Sequence, residues 1–376
     1  LIAGAASAAG LASTAASPAV GWLLDKYGAR LVLAVSVFVL GLSTISLAWA
    51  TVPVAFYIAY GIGRVIFSSP IQIGSSVIVS RWFIRLRGRA TGILFLSHSA
   101  GMTLFPLIAS VLIGLQGWRN AWIYLGLLVW VVALLPVSLL LVQRPEDVGL
   151  RPDGDTEPTE AETRASSNPA SKVESKWTLR EAMHTPALWI LAISAGMLFL
   201  VQAGTNTHIG AYVRDQGLSV AIAATAISIN AIFTGIGSVS WGWIVERVPV
   251  RYVFAGVGVV MCCASALLIT ANTSVEFLAY SGLFGFSLGG ILVVPPVAFA
   301  DYFGRESLGA IRGVTEPFTS FGQAIGAIAA GAIFDITGSY EFAFMSFAIF
   351  AGFTALLLLT ARPPRHAPAP PQVAQV

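Results

Sequence analysis

Charge is what this sequence is short of. Only 10% of its 376 residues are Asp, Glu, Lys or Arg, against about 25% in soluble domains, and that shortage points to lipid as the solvent. Cysteine is nearly absent as well. The two present, Cys262 and Cys263, are neighbours inside an apolar run, and vicinal cysteines rarely bridge, so they read as small core residues rather than a disulfide framework. The four histidines (His98, His184, His208, His366) fall in separate segments without HExxH spacing, no paired carboxylates lie within an apolar run, and no GxxxxGKS/T phosphate loop occurs. These absences speak against metallohydrolase and two-carboxylate chemistry and against ATP-driven pumping, and no metal or cofactor is expected.

What the chain does have is apolar length. Hydrophobic residues make up 56% of it, and its mean hydropathy is +0.80. A spanning helix needs about 20 apolar residues, and eleven segments qualify: 1–24, 31–49, 54–79, 89–113, 119–142, 186–208, 218–245, 252–271, 276–300, 308–333 and 341–361. The stretch 143–176, rich in Pro, Ser and charge, reads as a flexible linker. After it, WTLREAMHTPALW opens with a short interfacial helix over 177–185, and the Pro-rich tail 362–376 reads as disordered.

Basic residues fall in alternate connections. One side takes Lys26 and Arg30, Arg81 to Arg89, six between Arg144 and Arg180, then Arg247 and Arg251, Arg305 and Arg312, Arg362 and Arg365. The other takes only Arg119 and Arg214, while Arg64 lies inside a helix. The positive-inside rule assigns the basic side, with the linker and C-terminus, to the cytoplasm. It also accounts for the isoelectric point near 9.0 without nucleic acid.

The halves repeat. GWLLDKYGAR (Gly21 to Arg30) and GWIVERVPVR (Gly242 to Arg251) stand 221 residues apart, and Arg87-Gly88 and Arg312-Gly313 stand 225 apart. Thirteen residues beyond each of those last glycines comes another, Gly101 and Gly326. Duplicated halves are typical of transporters, with the substrate site between them near the midplane. A full span precedes the second copy of the loop motif, whereas only 20 residues precede the first. Twelve helices are therefore expected in the parent, eleven of them present here, with the first missing upstream of Leu1.

Candidate site residues follow from depth and repetition. Asp25, with Lys26 and Arg30, recurs as Glu246 with Arg247, so these charges either lock the halves in one access state or enforce topology at the interface. Arg64 lies about 15 Å into its helix. A guanidinium there costs roughly 2.5–3.5 kcal/mol on insertion scales and should face a water-filled cavity or a partner. It would suit a carboxylate substrate or serve structure, and Gln72, two turns on, is a possible co-ligand. His98 and Gln323 are counterparts at the 225 offset. His98 could relay a proton or bind a carboxylate, or simply bond a neighbouring helix. Arg312 and Glu316 have i,i+4 spacing for an interfacial ion pair. Asn206, His208 and Asn230 are weaker candidates, and Gly322-x-x-x-Gly326 should let helices pack closely.

GWLLDKYGAR and its second copy resemble the signature of the major facilitator superfamily. RWFIRLRGRATGI, GWRNAW, RPEDVGLRPDG, WTLREAMHTPALWIL and IFDITGSYEFAF further resemble the bacterial monocarboxylate and oxalate:formate antiporter-like branch. The resemblance implies an all-α polytopic fold of two pseudo-symmetric helix bundles, here 1–142 (lacking its first helix) and 177–361. It also implies ATP-independent alternating access for small organic anions, proton-coupled or by exchange, in a monomer of the cell's inner membrane. One departure bears on the cargo. Members of this branch use an Arg in the eighth family helix and, for oxalate, a Lys in the eleventh, and here 218–245 and 308–333 offer neither in the membrane core. Efflux of amphipathic drugs, needing no cavity cation, and a non-transporting membrane sensor are the alternative readings.

Overall fold

A computed structural model describes residues 2–154, 177–215 and 220–364. Among the described residues the secondary structure is helical, without strands, as lipid requires of a chain that must satisfy its backbone internally. The first half runs through α1 (Ile2–Tyr27), α2 (Ala29–Ser46), α3 (Pro53–Ile66), α4 (Gln72–Trp82), α5 (Arg87–Val129) and the short α6 (Leu135–Leu139). The second half comprises α7 (Leu179–Met183), α8 (Pro186–Asp215), α9 (Val220–Val245), α10 (Val250–Thr270), α11 (Ser274–Phe303), α12 (Leu308–Thr337) and α13 (Glu341–Leu359).

Nine helical stretches among the described residues are long and apolar enough to cross a membrane. One of them, Arg87–Leu139, has 53 residues. Straight, it would run about 80 Å, far beyond a hydrocarbon core of about 30 Å. Gly117, at φ 77° and ψ 162°, turns the chain between the two segments expected there. Gly28, at φ 86°, makes the equally abrupt step from α1 to α2, a backbone state open to glycine at little cost. Helix α1 stands outside the nine. A π-turn, Phe67–Ile71, joins α3 to α4 around Pro70.

Small residues and hydroxyls set the packing. Ser43 donates to the Ala59 carbonyl between α2 and α3 (2.5 Å), and the Trp130 indole donates to Phe38 O (3.0 Å). In the second half, Phe254, Phe277, Phe284, Phe344 and Phe347 form a buried aromatic core. Gly322 and Gly326 let α12 lie directly on the α8 backbone at Gly196 and Leu200, as the GxxxG spacing predicts. Between the halves, α1 packs on α12 and α5 on α9.

One sequence reading needs correction. Residues 143–154, expected as flexible linker, are folded. Asp153, in the left-handed region at φ 63°, accepts the amides of Ile84, Arg85 and Leu86 at 3.2, 2.9 and 3.0 Å, which fixes this segment on the α4–α5 turn; residues 155–176 lie outside the described residues. The helix before α8 is capped by Thr178, whose amide donates to Glu181 (2.8 Å). Trp177 there is buried against Phe303. The expectation for the tail falls mostly on 365–376, also outside the described residues.

Candidate functional site

The loop-motif acids sit where the halves meet, at the arginine-rich end of the bundle (the basic end). Helix α12 begins there with orphan amides, as every helix does. Asp25, at the end of α1, accepts Gly309 N (3.1 Å) and Ala310 N (2.7 Å) and takes Arg81 Nη2 at 3.3 Å. A carboxylate on a helix N-terminus is favoured by the positive end of the helix dipole. Glu246, at the end of α9, does the same for α5: it accepts Arg89 N (2.9 Å) and Arg89 Nε (2.7 Å). Each copy of the motif thus caps a helix of the opposite half.

Glycines bring the backbones that close. A Cβ at Gly21 would strike the Gly309 carbonyl and Gly313 Cα; one at Gly242 would strike the Gly88 carbonyl and approach Gly92 Cα. These pairings place Gly88 with Gly309 and Gly92 with Gly313, at the same 221-residue offset as the loop motif. The 225 offset is therefore wrong by one helical turn, and the equivalence of His98 with Gln323 falls with it: at 221, His98 matches Thr319.

More charges join the halves in the same layer. Arg87 Nη1 reaches Asp301 at 2.6 Å, and Arg305 donates to Arg81 O (3.0 Å) and pairs with Glu146 (2.8 Å). Arg81 is only 1% exposed, so removing its carboxylate would strand a buried guanidinium, a loss of about 3–5 kcal/mol. The bases of the motif behave otherwise. The Lys26 ammonium lies 4.4 Å over Trp22, Arg30 donates to Ser138 O within its own half (2.6 Å), and Arg247 stacks 3.7 Å over Trp243. Among the described residues none of these three makes a polar contact with the opposite half; each is held by a neighbouring ring or carbonyl. Arg312 and Glu316 form the expected i,i+4 pair at 2.7 Å.

Deeper in the bundle, Arg64 is exposed on α3, and its guanidinium has no hydrogen-bond or ion-pair partner among the described residues. One turn further along, the Phe67 ring stacks on His98 (6.0 Å between centroids), which also meets Phe95 edge-on. Gln72 and Gln323 are half-buried on α4 and α12; neither is brought to the other or to His98 by a hydrogen bond. Asn206 and Asn230 do come together, lining a cavity of about 230 Å³ with Phe277, Tyr280 and Ser281. His208 is structural, bonded to Ala327 O (3.0 Å) and Tyr340 Oη (3.3 Å).

The sequence matches the Major Facilitator Superfamily over residues 1–297 and again over 211–375. The chain belongs to that superfamily. A membrane sensor protein of Salmonella typhimurium, UhpC, is 25% identical over 90% of this chain and 78% of its own length. The oxalate:formate antiporter of Oxalobacter formigenes is 25% identical over 76% of this chain and 65% of its own. Among solved structures, the human organic anion transporter MFSD10 superposes with a TM-score of 0.71 at 16% identity, covering 94% of this chain and 82% of that one. The two-bundle fold is thereby that of a facilitator, and the chain is a multi-pass membrane transporter. Sequence reading missed the cross-half roles of Arg81, Arg87, Arg89, Asp301 and Arg305. The arginines were visible but absorbed into the topology bias, and Asp301 ends a long apolar run with no motif around it.

Proposed function

We propose that this facilitator moves a small organic anion of the monocarboxylate type by alternating access across the cell membrane, with its basic end in the cytoplasm. Arg64 holds the anion, and Asp25 and Glu246 fasten the cytoplasmic gate. The observation that carries the reading is a contrast among arginines. Arg81, Arg87, Arg89, Arg305 and Arg312 are each paired with a carboxylate, whereas Arg64, inside a spanning helix, has none among the described residues. An unpaired cation at that depth is expensive unless a ligand or water answers it, and a planar guanidinium suits a carboxylate. The similarity to an oxalate:formate antiporter supports an anionic cargo. His98, one turn from Arg64 by way of Phe67, is the proposed coupling residue, and Gln72, Asn206, Asn230 and Gln323 are proposed polar contacts for the rest of the cargo.

The test is counterflow in proteoliposomes of the whole protein against labelled mono- and dicarboxylates at two pH values. Arg64→Ala should lower anion counterflow by about tenfold to a hundredfold, the worth of roughly 1.5–3 kcal/mol for a charge-assisted bond; full transport by that variant would sink the assignment. His98→Gln should leave counterflow measurable but flatten its difference between the two pH values, and an unchanged pH response would remove His98 from coupling. The similarity to a membrane sensor over 90% of the chain favours one second reading, ligand sensing, identified by saturable anion binding without counterflow.

A further inference from the structure

At the basic end, outside the layer that joins the halves, a cavity of about 1320 Å³ opens among the α9–α10 turn, the end of α11 and the segment after α13. Its walls carry Arg247, Arg251 and Arg362 together with Glu246 and Asp301. Both acids are already engaged by arginines of the first half, Glu246 by Arg89 and Asp301 by Arg87. The three arginines have no carboxylate partner among the described residues. Arg247 donates to Trp243 O (2.9 Å) and lies over that ring, and Arg251 donates to the Tyr252 hydroxyl (2.7 Å). Trp243 and Tyr252 are themselves about half exposed, and aromatic rings at helix ends mark the depth of lipid headgroups. The cavity is thus concave, carries a surplus of guanidinium charge, and has an apolar edge at Leu359.

We propose that this cavity binds the headgroup of an anionic phospholipid, its phosphodiester held by Arg247, Arg251 and Arg362, and that binding favours the conformation in which the basic end is shut. Guanidinium forks match phosphate oxygens, and anionic leaflets attract basic residues of exposed loops. Coupling to the closed state follows from Glu246. When the halves part at this end, Glu246 loses Arg89. Its carboxylate, on the wall of the same cavity, then competes for the cavity's arginines and repels phosphate. The site is most cationic while the layer is shut, so a ligand that prefers it must stabilise the shut state to the same degree. None of this depends on the identity of the cargo.

The first measurement is native mass spectrometry of the full chain with phosphatidylglycerol, phosphatidylcholine or inorganic phosphate alone. Phosphatidylglycerol should be retained in preference to phosphatidylcholine, and Arg247→Gln/Arg251→Gln/Arg362→Gln should weaken its retention by about fivefold per arginine removed. Arg362→Gln alone, beyond the last helix, should show about a fivefold loss without touching the bundle. Unaltered retention by either variant overturns the site, and equal displacement by inorganic phosphate overturns the lipid assignment. The second measurement is alkylation of Ser80→Cys, 1% exposed and bonded through its carbonyl to Arg87 of the layer, in a background with Cys262 and Cys263 changed to alanine. Phosphatidylglycerol should slow it in the otherwise unaltered chain and not in the triple variant. A rate indifferent to the lipid overturns the coupling.

Discussion

Valine in place of Gly88 is expected to stop transport, lowering counterflow by more than about a hundredfold, and to leave the basic end permanently accessible. Gly88 opens α5 where it crosses α9, and the position of its missing Cβ is already filled. A Cβ there would overlap the Gly242 carbonyl and come within 2.7 Å of Val245 Cγ1 and 3.0 Å of Glu246 Cγ. The first obstacle is backbone, which cannot rotate aside as a side chain can. Overpacking a fitted interface costs about 1–3 kcal/mol when side chains can give; here the relief available is separation of the two helices. That separation is the open state, so one arm of the access cycle disappears. Gly114→Val is the matched control on the same helix, because a Cβ at Gly114 meets nothing within 4 Å, and it should stay within about twofold, as substitutions away from packed features do. Alkylation of Ser80→Cys should accelerate in Gly88→Val and not in Gly114→Val. A Gly88→Val protein that transports normally would show that the close α5–α9 crossing is packing and no part of the cycle.

The helices were legible because lipid imposes apolarity on each of them separately, with no reference to its neighbours. Each of the eleven segments falls on helix among the described residues, while the merging of two of them into one 53-residue stretch turns on Gly117. The acids of the loop motif were legible because the motif occurs twice. Their partners were not. Asp25 reaches Gly309 and Ala310, and Arg87 reaches Asp301, contacts that join opposite halves of the chain and leave no local signature. The mistaken 225 offset has a definite cause. Four residues separate Phe83 from Gly88, but five separate Phe303 from Gly309, and the dipeptide Arg312-Gly313 copies Arg87-Gly88 one turn too far along. The contacts at Gly21 and Gly242, with the caps on Ala310 and Arg89, distinguish the two alignments. The residues proposed for the cargo were the least legible, since hydropathy gives a residue's depth but not its direction around the helix. Asn206 and Asn230 turn into one cavity; Gln323 was tied to His98 by an alignment that does not hold.

The double variant Asp25→Asn/Glu246→Gln should shift the access equilibrium toward an open basic end by at least about a hundredfold, with each single change giving about tenfold. Asp25 takes two amides of the first turn of α12 and the buried Arg81. An asparagine keeps one acceptor oxygen, offers an amide group where an acceptor is needed, and withdraws the charge that answers the helix dipole. The Arg81 pair lies within the first half, so its loss lowers the stability of both access states and leaves the equilibrium between them to the α12 amides. Hydrogen bonds to a charged group contribute about 1.5–3 kcal/mol, which corresponds to tenfold or more for each acid. Glu246 holds the first turn of α5 through Arg89 N and Nε in the same manner. The two clasps share no partner, so their contributions to the shut state should add to within about 0.5 kcal/mol. Alkylation of Ser80→Cys reports the equilibrium directly, and counterflow should fall in parallel as the shut state becomes scarce. Lys26→Gln separates capping from surface charge: its ammonium rests on Trp22 and Tyr27, and the variant should remain within about twofold of the unaltered chain. Were Lys26→Gln to open the basic end as far as Asp25→Asn does, the motif would be acting through net charge at the membrane surface, and capping of the opposite half would not be its role.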